Sequence, residues 1–271
     1  MKINFHKYHG TGNDFIIIDK EKNEIPPVEK IVEMCRRNFG IGADGVLVVS
    51  KSEIADYKMK IYNSDGSIPE MCGNGIRCFV KYLYDSDLIY EKVTVETDAG
   101  IKSSTISLID DKFFVEVEMG KSSFNDETLF FKSYINEKLE ELDKEITTVS
   151  MGNPHMVIFN DFTTSRDEIE KIGDRYINSS IFKNQTNLEM VHINEDKTID
   201  MMVFERGVGV TLACGTGACA VGVAAIKKGF SFNKWIKIKL LGGDLFIKVR
   251  DDYSVILKGE AKFVYSGMIK I

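Results

Sequence analysis

The 271-residue sequence predicts an α+β protein built from two similar domains related by a pseudo-twofold, and three observations carry that expectation. A short cysteine-glycine motif occurs twice. Other motifs recur around it at nearly the same offset. Each copy leads into an apolar helix and then into alternating strands. Cys72-Gly73-Asn74-Gly75 returns at an offset of 142 as Cys214-Gly215-Thr216-Gly217. Gly12-Asn13, ahead of apolar Phe15 to Ile18, returns at 140 as Gly152-Asn153 ahead of Met156 to Phe159. Tyr62-Asn63 aligns with Phe204-Glu205 at 142, and Ala43-Asp44 with Thr186-Asn187 at 143. A period this long marks a duplicated domain rather than a solenoid.

The elements follow the same order in both halves. Pro26 to Phe39 reads as a helix, with Val28, Ile31, Val32 and Cys35 on one face. Its counterpart opens on the capping box Ser165-x-x-Glu168 and carries Ile169, Ile172 and Tyr176. After each cysteine motif comes a mostly apolar helix, Ile76 to Tyr84 and Ala218 to Lys227. Alternation typical of strands follows over Lys92 to Thr97, Ile101 to Leu108 and Phe113 to Glu118. In the second half it covers Trp235 to Leu241, Leu245 to Val249 and Val255 to Lys258, with Gly242-Gly243 as the hairpin turn. A helix apolar on most faces needs enclosure, so a mostly antiparallel or mixed sheet is expected to wrap around it in each half. The expected domains span 1–119 and 120–261, with a last strand, 262–271, packing onto the first.

Composition narrows the function classes. A net charge of −6 argues against a nucleic-acid partner. No apolar run approaches the ~20 residues of a membrane span, and Met1 to His9 has no apolar signal region, so a cytoplasmic protein is expected. Five cysteines are an odd number and too sparse for a secreted disulfide scaffold. Cys35, Cys78 and Cys219 fall on apolar helical positions and read as core. The spacings from Cys72 to Cys78 and from Cys214 to Cys219 do not match zinc pairs, and no metal is expected.

Cys72 and Cys214 stand just before glycines and a helix start. Backbone N–H groups there favour negative charge, which is expected to lower a thiol pKa and to hold a carboxylate. A single such turn would be ordinary packing. Two copies related by duplication supply two opposed thiols, the requirement for inverting a carbon centre. One thiolate removes a proton from one face, and the other thiol delivers one to the opposite face.

The motifs also support a named resemblance. They run from His9-Gly10-Thr11-Gly12-Asn13-Asp14-Phe15 through Gly40-Ile41-Gly42-Ala43-Asp44-Gly45 and Asn63-x-Asp65-Gly66-Ser67. They continue with Glu70-Met71-Cys72-Gly73-Asn74-Gly75-Ile76-Arg77-Cys78, Gly152-Asn153-Pro154-His155, Asn187 and Glu205-Arg206-Gly207. They close on Ala213-Cys214-Gly215-Thr216-Gly217-Ala218-Cys219. Over nearly its whole length the chain resembles the diaminopimelate epimerases. The resemblance implies cofactor-free conversion of LL-diaminopimelate to the meso form, in lysine and peptidoglycan precursor synthesis. It also implies a homodimer of two-domain subunits, each domain a β-sheet barrel closed on a central helix.

By position, the resemblance makes Cys72 and Cys214 the acid–base pair. Gly73, Asn74, Gly215 and Thr216 would hold the carboxylate of the reacting centre. Asn13, Asn63, Asn153, Asn187, Glu205 and Arg206 match substrate contacts, and His155 and Glu205 would tune the thiols. The chemistry agrees, since amides and a guanidinium bind a carboxylate and Glu205 can bind an ammonium. On the residues alone, Asn63 could be a turn residue, His155 a core histidine, and Glu205-Arg206 a surface pair of little weight. The chain departs from the family where Gln often replaces Gly45, Glu replaces Val210, Tyr or Trp replaces Phe204, and Pro replaces Glu260.

Three other readings compete. A proline or hydroxyproline racemase has the same design but tends to carry His after its first Cys-Gly, where Asn74 stands. A redox protein could oxidise the two thiols to a disulfide. A binding module without catalysis would be favoured if either cysteine were missing.

Overall fold

The computed structural model describes residues 1–139, 142–161, 163–177, 181–232 and 234–271. The chain divides into two units, Met1–Glu118 with Lys258–Ile271, and Met119–Leu257. In the first, β1 (Lys2–Gly10) and β2 (Asn13–Asp19) pair antiparallel across the turn Thr11-Gly12. Both turn residues have positive φ, which glycine adopts without strain. Helix α1 (Val28–Cys35) leads to β3 (Gly45–Lys51), parallel to β2, and β4 (Tyr57–Asn63) returns antiparallel to β3. Helix α2 (Gly73–Asp85) leads to β5 (Lys92–Thr97), parallel to β4. Hairpins then add β6 (Gly100–Ile109) and β7 (Lys112–Lys121).

The second unit repeats this plan. β8 (Ile135–Leu139), β9 (Lys144–Ser150) and β10 (Pro154–Asn160) are antiparallel neighbours. Helix α3 (Arg166–Tyr176) crosses to β11 (Asn187–Ile193), parallel to β10, and β12 (Ile199–Glu205) runs back beside it. A short β13 (Gly209–Val210) pairs with β12. Helix α4 (Gly215–Lys227) crosses to β14 (Ile236–Leu240), parallel to β12, and β15 (Gly243–Val249) and β16 (Ser254–Glu260) follow. The last strand, β17 (Lys262–Lys270), pairs antiparallel with β1, the position that β8 takes beside β9.

Strand alternation decides which helix each side chain meets. Ile16 and Ile18 of β2 and Val46 and Val48 of β3 share a core with Ile31, Met34 and Cys35 of α1. Leu47, on the other face of β3, packs at Gly75 in the first turn of α2. Likewise Met156, Ile158, Leu188 and Met190 pack with Ile169 and Tyr176 of α3. The odd-numbered residues between them, His155 and Glu189, therefore face α4. Both central helices are enclosed: every residue from Gly73 to Val80 in α2, and Ala218 to Ala225 in α4, is buried. Full burial of one such aliphatic side chain is worth ~1.5–3 kcal/mol. Gly222 lets α4 approach β15, where a Cβ would lie 2.7 Å from Ile247.

Three local expectations are corrected. The first helix spans Val28–Cys35 rather than 26–39, because Pro27 is its cap and the chain folds back over its C-terminus. Ile41 and Gly42 N–H both bond Met34 O, and a Cβ on Gly40 would meet Glu33 O at 2.3 Å. The β14–β15 hairpin turns at Leu241-Gly242, and Gly243 already pairs with Leu240. The third correction concerns the repeat. Phe15 pairs with Gly45 and Gly45 with Asn63, whereas His155 pairs with Asn187, which lies opposite Glu205. Gly45, not Asp44, is thus the counterpart of Asn187, and the offset is 142 from that strand onward. The two extra residues lie in the crossover before it.

Candidate active site

Each unit carries one half-site, at one end of its strands. In the first, Asn13 opens β2, Gly45 opens β3, Asn63 closes β4 and Cys72 caps α2. In the second, Asn153 precedes β10, Asn187 opens β11, Glu205 closes β12 and Cys214 caps α4. Parallel pairing of the crossover strands brings these ends together. Both cysteines have extended backbones, and each sulfur accepts the N–H three residues on, Gly75 N at 3.3 Å and Gly217 N at 3.4 Å. The sulfur thus takes the role that a Ser or Asp oxygen plays at an ordinary helix start.

Around Cys72 the partners are amides. The thiol donates to Asn13 Oδ1 at 3.7 Å, and Asn74 Nδ2 donates to the same oxygen at 3.2 Å. Asn13 Nδ2 donates to Asp44 at 2.7 Å. A carboxylate only accepts, so Asp44 fixes Asn13 with its oxygen toward the thiol. Arg37 bridges Asp14 and Asp44, and Lys7 pairs with Asp14 at 2.7 Å. Burial alone would raise the Asp14 pKa, but hydrogen bonds from Arg37 and Lys7 hold it at about 2. Arg77, fully buried, donates to Gly73 O, Thr11 Oγ1 and Asn74 Oδ1 and fixes the first turn of α2. Asn63 is set apart, its amide donating to Ser67 Oγ at 2.9 Å.

Around Cys214 the surroundings include ionisable groups. Its sulfur lies 3.5 Å from Thr216 Oγ1, which receives Asn153 Nδ2 at 3.3 Å. Asn153 Oδ1 lies 3.1 Å from His155 Nε2, and His155 Nδ1 lies 2.7 Å from Glu189 Oε1. His155 and Glu189 are both fully buried. Thr211 Oγ1 donates to Glu205 at 2.5 Å. Burial pushes the Glu205 carboxyl above the usual range, against hydrogen bonds from Thr211 and Cys214 that pull it down. Asn187, 3% exposed, accepts Arg206 N–H at 3.0 Å. The exposed Arg206 guanidinium donates to Asn184 O at 3.2 Å.

One electrostatic expectation is overturned for Cys214. The helix start was expected to lower both thiol pKa values. Burial instead pushes Cys214 well above its ordinary value, and the Glu205 and Glu189 carboxylates push the same way. Hydrogen bonds from Thr216 and Gly217 N–H oppose this without prevailing. Cys35, Cys78 and Cys219 are buried, and burial raises Cys35 to about 11 and Cys78 higher still.

Sequence reasoning assigned no role to Glu189, Arg77 or Asp44. The duplication held a signal for the first. At their repeat offsets His155 stands where Phe15 stands, and Glu189 where Leu47 stands. A buried apolar pair in one copy is an acid and a base in the other. Among the described residues no three His, Cys, Asp or Glu side chains group as a metal site. No described helix is long and apolar enough to cross a membrane.

Solved structures show the same fold at low identity. A PhzF-family phenazine biosynthesis protein of Bacillus anthracis superposes with a TM-score of 0.74 at 18% identity, covering 100% of both chains. A hydroxyproline epimerase of Agrobacterium vitis gives 0.68 at 14%, covering 99% of this chain and 92% of its own. Sequence relatives are much closer. A diaminopimelate epimerase of Methanococcus maripaludis strain C6 is 41% identical over 98% of this chain and 99% of its own. Another, from Leptospira biflexa, is 40% identical over 100% of both. The profile of the family described as diaminopimelate epimerase matches residues 5–125 and 147–264. With the match running through both units, the chain is an isomerase that belongs to the diaminopimelate epimerase family.

Proposed function

We propose that the protein interconverts LL-2,6-diaminopimelate and meso-diaminopimelate by two-base proton transfer between Cys72 and Cys214, without a cofactor. The observation that carries this reading is the duplicated cysteine cap, one at the start of each central helix. In one direction a thiolate takes the α-proton, and the C–H electron pair passes into the carbanion and its carboxylate. The opposite thiol gives its S–H proton to the other face of the carbon. Turnover leaves the first cysteine as thiol and the second as thiolate, and the reverse reaction uses them in exchanged roles. Burial and the Glu205 and Glu189 carboxylates push the Cys214 thiol above its ordinary value.

The carboxylate of the reacting centre is assigned to backbone N–H groups of Gly73, Asn74, Gly215 and Thr216, which stabilise charge as it develops. Asn13, Asn63, Asn153, Asn187, Glu205 and Arg206 are assigned to the substrate's polar groups. The distal ammonium and carboxylate match Glu205 and Arg206 in charge. Paired polar contacts of this kind reject analogues that lack either group far better than an apolar slot would. His155 and Glu205 are assigned to tuning the thiols. The reading places the enzyme in the cytoplasm, in lysine and peptidoglycan precursor synthesis. A homodimer is proposed as well, on the exposed apolar side chains Phe263, Val264, Tyr265 and Met268 of β17.

Incubation with LL-diaminopimelate in D2O tests the reading. The expected result is deuterium at the α-carbon together with the meso isomer. No exchange, or exchange with proline and none with diaminopimelate, would show it to be wrong.

A further inference from the structure

Glu189 has no part in the scheme above, yet it lies beneath the start of α4. A Cβ on Gly217 would come within 2.6 Å of its Oε1, so the glycine makes room for the carboxylate. The residue is fully buried, and among the described residues its Oε2 has no hydrogen-bond partner. A charged group this enclosed costs several kcal/mol unless it is paired. Among the described residues its hydrogen-bond partner is His155, at 2.7 Å.

The histidine shows what the carboxylate does. Both ring nitrogens of His155 face oxygens, Glu189 Oε1 at Nδ1 and Asn153 Oδ1 at Nε2. The oxygens of an ionised Glu189 only accept, as does the amide oxygen of Asn153, so with Glu189 ionised both nitrogens donate. In that arrangement the ring is an imidazolium with Glu189 as its buried counter-ion. That state fixes the next link. With its oxygen on His155, Asn153 turns its NH2 group to Thr216 Oγ1 at 3.3 Å. The Thr216 hydroxyl is left to point its hydrogen at Cys214 Sγ, 3.5 Å away. The sulfur then has two donors ready for the moment it becomes a thiolate, this hydroxyl and Gly217 N–H.

The other half-site holds its related asparagine the opposite way round. Asp44 takes the NH2 group of Asn13, so the oxygen faces Cys72. We propose that Glu189 is a positioning residue which keeps His155 doubly protonated and thereby aims the Asn153–Thr216 donors at the Cys214 sulfur. The proposal rests on Cys214 acting as an acid and base.

Glu189→Gln is the informative variant, because it keeps shape and removes charge. With 15N-labelled histidine, the His155 ring should show both nitrogens protonated in the native enzyme at neutral pH. In Glu189→Gln one of them should be unprotonated. Only four histidines are present, and His155→Phe identifies the resonance. The kcat of Glu189→Gln should fall about tenfold, as for one lost hydrogen bond in the transition state, with KM within about twofold. Its melting temperature should stay close to native. A packing role would leave kcat alone, since Gln fills the same volume. An unprotonated ring nitrogen in the native enzyme, or native kcat in Glu189→Gln, overturns the proposal. A Cys214→Ala variant separates the two readings. If it turns over normally the two-thiol scheme fails, while the histidine spectra still decide the state of the Glu189–His155 pair.

Discussion

The two half-sites share a backbone plan and differ in chemistry. Each has a cysteine cap, a glycine three residues on, and an asparagine at the hairpin before the first crossover strand. Beneath Cys72 the inner face of the sheet carries Phe15 and Leu47. Beneath Cys214 it carries His155 and Glu189. At the ends of the returning strands Asn63 stands opposite Gly45, and Glu205 opposite Asn187. The first half thus sets its thiol among neutral amides backed by an Arg37–Asp14–Asp44 network. The second sets its thiol near a half-buried Glu205 and a fully buried Glu189 paired with His155. Duplication supplies two like groups, and divergence gives them unlike surroundings. The proposed reaction needs one thiolate and one thiol at the same time, and unlike surroundings suit that need.

The largest effect expected from breaking this comparison comes from the caps. Cys72→Ala and Cys214→Ala should each slow inversion by at least about a thousandfold, because a lost acid or base is worth ~10²–10⁴. Optical rotation of the product mixture measures it, and native turnover in either variant would end the two-base scheme. Converting the second half toward the first comes next. His155→Phe combined with Glu189→Leu installs the apolar pair found beside Cys72. We expect kcat to fall roughly tenfold or more, while the melting temperature holds or rises, since replacing a buried ion pair by packed apolar groups is often neutral or stabilising by ~1–4 kcal/mol. The reverse single change, Leu47→Glu, places an unpaired charge beneath α2 and should cost about 3–5 kcal/mol in urea unfolding.

Smaller effects sharpen the picture. Thr216→Ala removes one donor to the Cys214 sulfur and should lower kcat several-fold with little change in KM, within the ~0.5–1.5 kcal/mol of a single hydrogen bond. The smallest concerns pH. Asp14, at about 2 in the folded chain, lies below the ordinary ~3.9 of an unfolded aspartate. Its contribution is therefore full above about pH 4 and is lost as pH falls through 2. Melting temperatures recorded across that window should fall by a few degrees in the native protein and less in Asp14→Asn. An unchanged slope would show that the Lys7–Asp14–Arg37 cluster contributes nothing to stability.

Much of this fold could be read from residues alone, because the period of the repeat is visible in short motifs. Cys72 and Cys214 stand in those motifs, so the residues alone single them out as candidates, whereas Asn13 and Asn153 become candidates only through the family resemblance. Glu189 was not. It sits in a strand whose alternate residues pack against α3, and its partner His155 is 34 positions away, joined only when β10 and β11 pair in parallel. Arg77 lies inside an apolar helix, where sequence shows a lone charge but not the carbonyl and hydroxyls that surround it. The rise in the Cys214 pKa was illegible for a similar reason. A helix start is a local signal, whereas burial and the approach of two carboxylates from other strands are products of folding. The one-residue error in aligning Asp44 with Asn187 came from two extra residues in a crossover, whose position only strand pairing reveals.

The central claim is that each thiol serves one face of one carbon. It is tested most directly by α-proton exchange in D2O with Cys72→Ala and Cys214→Ala, each given LL- and meso-diaminopimelate separately. Each variant should exchange the α-hydrogen of one stereocentre configuration without inverting it, and the two variants should choose opposite configurations. Exchange of the same configuration by both, or inversion by either, would contradict the account.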